Sequence, residues 1–365
     1  MAPAPTDTRA AAVARRLAEG TAVRIAGSAT KAGWGRPVDG LPELSTRGLD
    51  RIVAHEPGDF TAVLEAGVRL ADAQAAFAAH GQRLALDPPG AGATIGGIVA
   101  SGDSGPLRHR YGAPRDLVIG IALALPDGTV ARAGGRVIKN VAGYDLAKLA
   151  AGAFGTLGVI TEVCVRLHPL PAATATAVFR SERPERLRAI VLDLAHRPLE
   201  LESLDLAPGA ILARFAGATA AERAAGVRPD EVVEDDEGLW EAQRGAQRSA
   251  DGIVVRVAGL PTDLATVLRA ASTGAAARDA GGATPRVVGR AGAGTFWVTL
   301  PSGGDVAALR RALAPRPCVV TDAPAEVRGA LDPWDLPEGP ALELMRRVRD
   351  RFDPGRVCNG ELMPT

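Results

Sequence analysis

Three glycine-rich segments hold the residue types best suited to chemistry. In Arg24-Ile25-Ala26-Gly27-Ser28-Ala29-Thr30-Lys31, a short β-prone run leads into a Gly/Ser/Thr turn that ends on a cation. Such a turn aims successive backbone N–H groups into one concavity where phosphate oxygens accept them, and Lys31 adds a charge-assisted contact. The spacing is neither that of a nucleotide triphosphatase loop nor that of a Rossmann turn, and taken alone an ordinary surface turn fits as well. The second segment runs from Asp87 to Gly105. Pro88 and Pro89 stiffen its start, and six glycines then remove side chains over an apolar stretch. Thr94-Ile95-Gly96-Gly97 and Ala100-Ser101-Gly102 admit close backbone approach to a flat or charged ligand, with Thr94 and Ser101 as hydrogen-bond donors. A glycine-rich bend inside a β-domain is the alternative. In the third segment, Gly152–Thr161, a helix passes through a glycine turn into a strand, and the backbone at Gly158, Val159 and Ile160 is placed to meet an adenine edge.

Other reactive side chains are sparse. Lys139-Asn140-Val141-Ala142-Gly143-Tyr144-Asp145-Leu146 sets one of only two tyrosines beside a lysine and a carboxylate, and Asp145 reads as the cap of a following helix. Arg110 stands next to His109 and Tyr111. The five histidines form no His-x-x-x-His or His-x-x-Glu-His pair, so no metal site is expected. Ser101 and Ser104 lack the Gly-x-Ser-x-Gly elbow, which excludes a serine hydrolase of that type.

These segments must be positioned by a chain of 365 residues, long enough for two domains. Its 42 basic and 42 acidic residues cancel, so no global field favours nucleic acid or an anionic membrane. The longest apolar run, Val118 to Pro126, is too short to span a bilayer, so membrane insertion is not expected. Cys164, Cys318 and Cys358 are odd in number and scattered, which fits a reducing, cytoplasmic compartment and no iron–sulfur or zinc site.

Residues 1–172 read as one domain of short strands and glycine turns. Strands are expected at Ala22–Ala26, Ile52–Glu56, Ala62–Gly67, Arg83–Leu86 and Gly158–His168, with a hairpin, Leu117–Leu125 and Thr129–Ala133, turning at Pro126-Asp127-Gly128. Leu70, Ala73, Ala76 and Phe77 recur at helical spacing, with Gly81 at the cap. Pro169-Leu170-Pro171 marks a boundary. Residues 173–330 read as a smaller α+β domain, an antiparallel sheet covered on one side, serving as a substrate cap or a partner-binding unit. There the acidic stretch Glu231 to Glu237 reads as a solvated helix start. Residues 331–365 supply a C-terminal helix and a tail returning to the first domain.

Taken in order, the three loops, with Arg110-Tyr111-Gly112, Pro126-Asp127-Gly128 and Gly143-Tyr144-Asp145-Leu146 between them, resemble the FAD-binding domain of the vanillyl-alcohol oxidase and p-cresol methylhydroxylase superfamily over residues 20 to 172. Gly27-Ser28-x-Thr30-Lys31, Ala100-Ser101-Gly102-x-Ser104-Gly105-Pro106, the stretch Lys139–Leu146 and the terminal Phe352-Asp353-Pro354-Gly355-Arg356-Val357-Cys358-Asn359 are most similar to the small flavin-binding subunits of bacterial glycolate oxidases. The resemblance implies a two-lobed FAD domain followed by an α+β domain. It places pyrophosphate on Gly27–Lys31, the isoalloxazine and ribityl along Thr94–Gly97, and adenine at Gly158–Ile160. It further implies a 2-hydroxy-acid substrate such as glycolate, a larger flavoprotein subunit and an iron–sulfur subunit as partners, and peripheral attachment to the inner membrane through them. Residues 27–31 and 87–105 contain neither histidine nor cysteine, so the flavin is expected to be non-covalent. Tyr144, Lys139, Arg110 and Asn359 are the catalytic candidates near it, without an assigned base. Two departures stand out: Thr174–Ala330 holds a single histidine, His196, where larger relatives carry a His-rich motif, and Asn359-Gly360-Glu361 replaces Asn-Pro-Gly. An autonomous FAD-dependent 2-hydroxy-acid oxidase and a non-catalytic flavin-fold scaffold are the alternatives.

Overall fold

The computed structural model describes residues 8–90, 92–136, 144–272, 285–360 and 362–363. Strands β1 (Arg24–Ala26) and β2 (Glu43–Ser45) form a short parallel pair. A five-stranded antiparallel sheet follows, made of β3 (Ile52–Glu56), β4 (Thr61–Glu65), β6 (Val118–Ala124), β7 (Val130–Gly134) and β8 (Val159–Arg166) in the order β3-β4-β8-β6-β7. A two-residue pair, β5 (Gln82–Arg83) with β9 (His168–Pro169), lies beside it. The hairpin β6–β7 turns where Gly128 takes a left-handed φ of 85°, as the Pro-Asp-Gly turn requires.

Sheet membership changes between Pro169 and Thr174. The remaining strands are β10 (Thr174–Arg180), β11 (Ser203–Ala207), β12 (Ala210–Ala216), β13 (Glu231–Val233), β14 (Ile253–Ala258), β15 (Arg286–Arg290), β16 (Thr295–Leu300) and β17 (Cys318–Asp322). They build one eight-stranded antiparallel sheet, β13-β10-β12-β11-β15-β16-β14-β17. Period-two alternation sorts its residues. Leu204, Leu206, Ile211, Ala213, Phe215, Val255, Phe296 and Val298 face the helices Pro184–His196, Ala220–Gly226, Leu264–Ser272 and Val306–Leu313 in the larger apolar core. The opposite face is not bare, as a sheet covered on one side would be. It carries Asp205, Arg214 and Arg290, all buried, and it is closed by Trp240 and by the N-terminal unit.

The two units interlock through polar contacts. Arg83 of β5 pairs with the fully buried Glu202 and donates to the Tyr111 hydroxyl at 2.9 Å. Arg248 donates to the Thr30 carbonyl at 3.2 Å and, with the Trp34 indole, holds Asp322. Arg290 reaches the Ser104 carbonyl at 3.5 Å. The chain then returns to the first unit: after the helix Pro340–Phe352, Val23 N–H donates to the Val357 carbonyl at 2.8 Å.

Several sequence expectations change. The strand expected over Arg83–Leu86 contracts to β5, because beyond Arg83 the chain bends and buries Leu84, Ala85 and Leu86 in the core. The acidic stretch Glu231–Glu237 is not a solvated helix start. Its first three residues are the edge strand β13, and Asp236 is buried against Arg214 at 2.7 Å, with Thr174 and Thr176 donating to it at 2.8 Å each. The Thr-Ile-Gly-Gly segment is a helix start rather than a turn: Thr94 caps the helix Ile95–Ser101, its Oγ1 accepting from Gly97 N–H at 3.3 Å.

Candidate functional site

The loop leaving β1 and the helix Ile95–Ser101 approach more closely than side chains permit. A Cβ on Gly27 would lie 2.2 Å from Thr94 Oγ1, and one on Gly96 would lie 2.6 Å from Ala66 Cβ. Glycine at 27 therefore lets the loop lie on the cap of the helix, and glycine at 96 lets the helix lie on the end of β4. Ala29 takes a left-handed φ of 54° within the loop, which turns the chain at Ser28–Thr30. Between loop and helix opens a cleft of about 580 Å³, the size of a cofactor site. Gly27, Ser28, Ala29, Thr30, Lys31, Thr94, Gly97, Ala100 and Ser101 all line it.

Residues from elsewhere complete the walls, among them Trp34, Phe154, Arg328 and Asn359. Phe154 packs between Trp34, at 6.4 Å, and Trp334, at 5.0 Å, giving an aromatic side to the cleft. Asn359 bridges two backbones: its Oδ1 accepts from Ile25 N–H and its Nδ2 donates to the Phe154 carbonyl, both at 2.6 Å. Its left-handed φ of 57° is one that asparagine tolerates better than most residues. Lys31 is ion-paired with Asp103 at 3.1 Å, and both side chains are almost fully buried. The Ser101 hydroxyl donates to the Gly97 carbonyl at 2.7 Å within its own helix, so its proton does not point to a ligand.

Not every candidate reaches this cleft. Pro88 is buried and does not line the cleft, and Ile95 points into the apolar core of the first unit. Gly96 faces Ala66, and Gly102 is the left-handed cap of the helix. Gly158, Val159 and Ile160 lie away from the lining because β8 carries them into the ladder with β6, where a Cβ on Gly158 would meet the Ala124 carbonyl at 2.8 Å. Among the catalytic candidates, Tyr144 is 93% exposed and Arg110 spends its guanidinium on the Glu200 carbonyl at 2.9 Å, outside the cleft. Lys139 lies outside the described residues. Asn359 lines the cleft but is committed to the main chain. Sequence reasoning missed Trp34, Phe154 and Arg328. Of these only Trp34 and Phe154 carried a signal, as aromatics next to glycine in a chain that is 4% aromatic.

Asp87, at the start of the second glycine segment, accepts from Leu107 N–H at 3.1 and 3.3 Å. Burial pushes its carboxyl up to about 7, against the pull of Arg290 and Arg244. A raised carboxyl means that the folded chain holds a proton the unfolded chain has lost above pH 4. Its contribution to stability is therefore present below that pH and declines as pH rises toward 7. Asp87→Asn keeps the oxygen for Leu107 and removes the titration. We expect its denaturant midpoint to vary less than that of the parent between pH 4 and 7; an identical pH profile would exclude this group as the source.

Comparison with known proteins agrees with this geometry. Residues 1–134 match the model of the FAD-binding domain family. The chain is 35% identical over 218 residues to glycolate oxidase subunit GlcE of Escherichia coli, covering 58% of this chain and 61% of that one. It is 34% identical to glycolate oxidase subunit GlcD of Bacillus subtilis, covering 46% and 37% respectively. To a mitochondrial D-lactate dehydrogenase (cytochrome) of Arabidopsis thaliana it is 40% identical over 130 residues, which are 36% of this chain and 23% of that one. The matched stretch thus spans less than two thirds of each of these relatives. Among solved structures, alkyldihydroxyacetonephosphate synthase superposes with a TM-score of 0.67 at 14% identity, covering 96% of this chain and 75% of the other, a likeness of fold. Together with the glycine-built cleft that residues 27–31 and 94–101 enclose, these matches identify the N-terminal part of this chain as a FAD-binding domain.

Proposed function

We propose that the chain is the FAD-holding subunit of a 2-hydroxy-acid dehydrogenase that oxidises glycolate to glyoxylate, passing electrons to an iron–sulfur partner beside a larger flavoprotein subunit. The observation that carries this reading is a cofactor-sized cleft built from the glycine loop and the Thr94-capped helix. Of its lining groups Arg24, Lys31 and Arg36 are held in ion pairs, and Asn359 serves the backbone. Among the described residues no group of three or more histidine, cysteine, aspartate or glutamate side chains is arranged to hold a metal. The relatives named as glycolate oxidase subunits support the substrate class and the assembly.

When bound, FAD supplies hydride acceptance from the substrate α-carbon and release of electrons one at a time. The protein's own part is to bind and orient. We assign the backbone N–H groups of Gly27–Thr30 to the pyrophosphate, and the Thr94 cap, Gly97 and Ala100 to the flavin-bearing length of the cleft. Phe154 and Trp34 exclude water from its aromatic side. The adenine contact proposed for Gly158–Ile160 requires the ligand to extend past Phe154 toward the end of β8.

The test is turnover. The full chain reconstituted with FAD and given an electron-accepting dye should oxidise glycolate or D-lactate negligibly when alone. Co-expressed with a larger flavoprotein subunit and an iron–sulfur subunit of this kind of complex, it should restore activity by more than about a thousandfold, as expected when the entire catalytic constellation is supplied in trans. Full turnover by the isolated chain would favour the autonomous oxidase.

A further inference from the structure

We propose that Arg328, contributed by the second unit, clamps the phosphates of FAD together with the Gly27–Lys31 loop. Four cationic side chains line the cleft. Three already have a carboxylate: Arg24 pairs with Glu43 at 2.6 Å, Lys31 with Asp103 at 3.1 Å and Arg36 with Asp332 at 3.4 Å. The Arg328 side chain has no hydrogen-bond or ion-pair partner among the described residues, and its Nε is shielded from solvent without an acceptor. It also sits close to the phosphate loop, because a Cβ on Gly33 would lie 3.4 Å from its Nη1.

A shielded guanidinium donor with no acceptor is costly, and the cost is removed when an anion arrives. The planar fork of arginine matches phosphate oxygens, and a pyrophosphate brings it an anionic acceptor. The sequence pointed to Lys31 for that charge, but Lys31 is neutralised by Asp103, two residues beyond the helix that floors the cleft. Its charge holds the loop against the floor and leaves the ligand to Arg328. The arginine stands on the short helix Ala325–Ala330, directly after β17, the edge strand of the eight-stranded sheet. FAD held this way touches both units, and its binding ties the edge of the second sheet to the first unit. The inference rests on FAD being the ligand of the cleft.

The experiment titrates the flavin-free full chain with FAD and, separately, with riboflavin, which lacks the phosphates, following flavin fluorescence. The arms are the parent, Arg328→Gln and Arg328→Lys. For Arg328→Gln we expect the FAD Kd to rise about ten- to hundredfold, the loss of one charged hydrogen-bonding group. Riboflavin binding should stay unchanged, and Arg328→Lys should fall between. Added salt should weaken FAD binding to the parent more than to Arg328→Gln. An FAD Kd within about twofold of the parent, or an equal loss for riboflavin, would overturn the proposal. Circular dichroism of the flavin-free variants checks the fold; if Arg328→Gln does not fold, parent-like FAD affinity in Arg328→Lys with no change in salt dependence overturns it as well. A parent chain that takes up no FAD would instead sink the cofactor reading itself, so the two failures are separable.

Discussion

Gly27→Val is expected to yield a folded protein that purifies without flavin. The Cβ that any other residue brings to position 27 would lie 2.2 Å from Thr94 Oγ1 and 3.2 Å from Thr94 Cβ, and valine adds two methyl groups beyond it. Thr94 cannot turn away freely, because it is buried and its oxygen caps the helix that floors the cleft. The loop must therefore lift off, which costs about 1–3 kcal/mol of overpacking and withdraws the N–H groups of residues 27–30 from their ligand. We expect FAD affinity to fall at least about a hundredfold, the equivalent of two charged hydrogen bonds. Gly97→Val should be milder, since its Cβ would come no closer than 3.1 Å to the same oxygen. Flavin absorbance per protein, read beside far-ultraviolet circular dichroism, measures both. Normal flavin content in Gly27→Val would show that the cofactor does not lie on this loop.

The largest stability effect is expected at a distance from the cleft, in Asp205→Ala. Asp205 and Arg290 are both fully buried on the inner face of the eight-stranded sheet and meet at 2.7 Å. Gln243 donates to the same carboxylate oxygen at 3.0 Å, and the Arg290 guanidinium lies 4.9 Å from the Trp297 ring centre. Removing the carboxylate leaves a guanidinium enclosed without its counter-charge, and breaking a buried pair in this way costs about 3–5 kcal/mol. The denaturant midpoint should drop accordingly. A double variant, Asp205→Ala with Arg290→Met, should recover much of the loss, because the isolated charge goes too. If the double variant is no more stable than the single one, the ion pair is not the source of the effect. Arg290 also reaches the Ser104 carbonyl, so the single variant should loosen the contact between the two units before it unfolds the sheet.

The parts of this molecule legible in sequence are those set by neighbours along the chain. The β6–β7 hairpin follows from alternating apolar residues around Pro126-Asp127-Gly128, and the helix Leu70–Ala78 from the spacing of Ala73 and Phe77. The Gly27–Lys31 loop showed itself because strand, glycine and cation are contiguous. The helix after Thr94 was hidden: Gly96 and Gly97 read locally as a turn, and only the contact with Ala66 explains why a helix there must lack side chains. Asp236 looked like one more solvated acid, yet its partner Arg214 stands on another strand, 22 residues earlier. Arg328 could not be read at all, since nothing near it in the chain distinguishes a cleft-lining arginine from a surface one. Side chains whose meaning lies across the sheet–sheet junction stay silent until the fold assembles them.

The bridge made by Asn359 bears on how the protein matures. Its amide joins Ile25, 334 residues upstream, to Phe154, so one wall of the cleft is fastened by a residue remote from it in the chain. Domains fold as they leave the ribosome, N-terminal parts first. The glycine loop and its helix are synthesised well before the asparagine that joins Ile25 to Phe154. We expect cofactor loading to await Asn359, so a product truncated before it would retain less flavin.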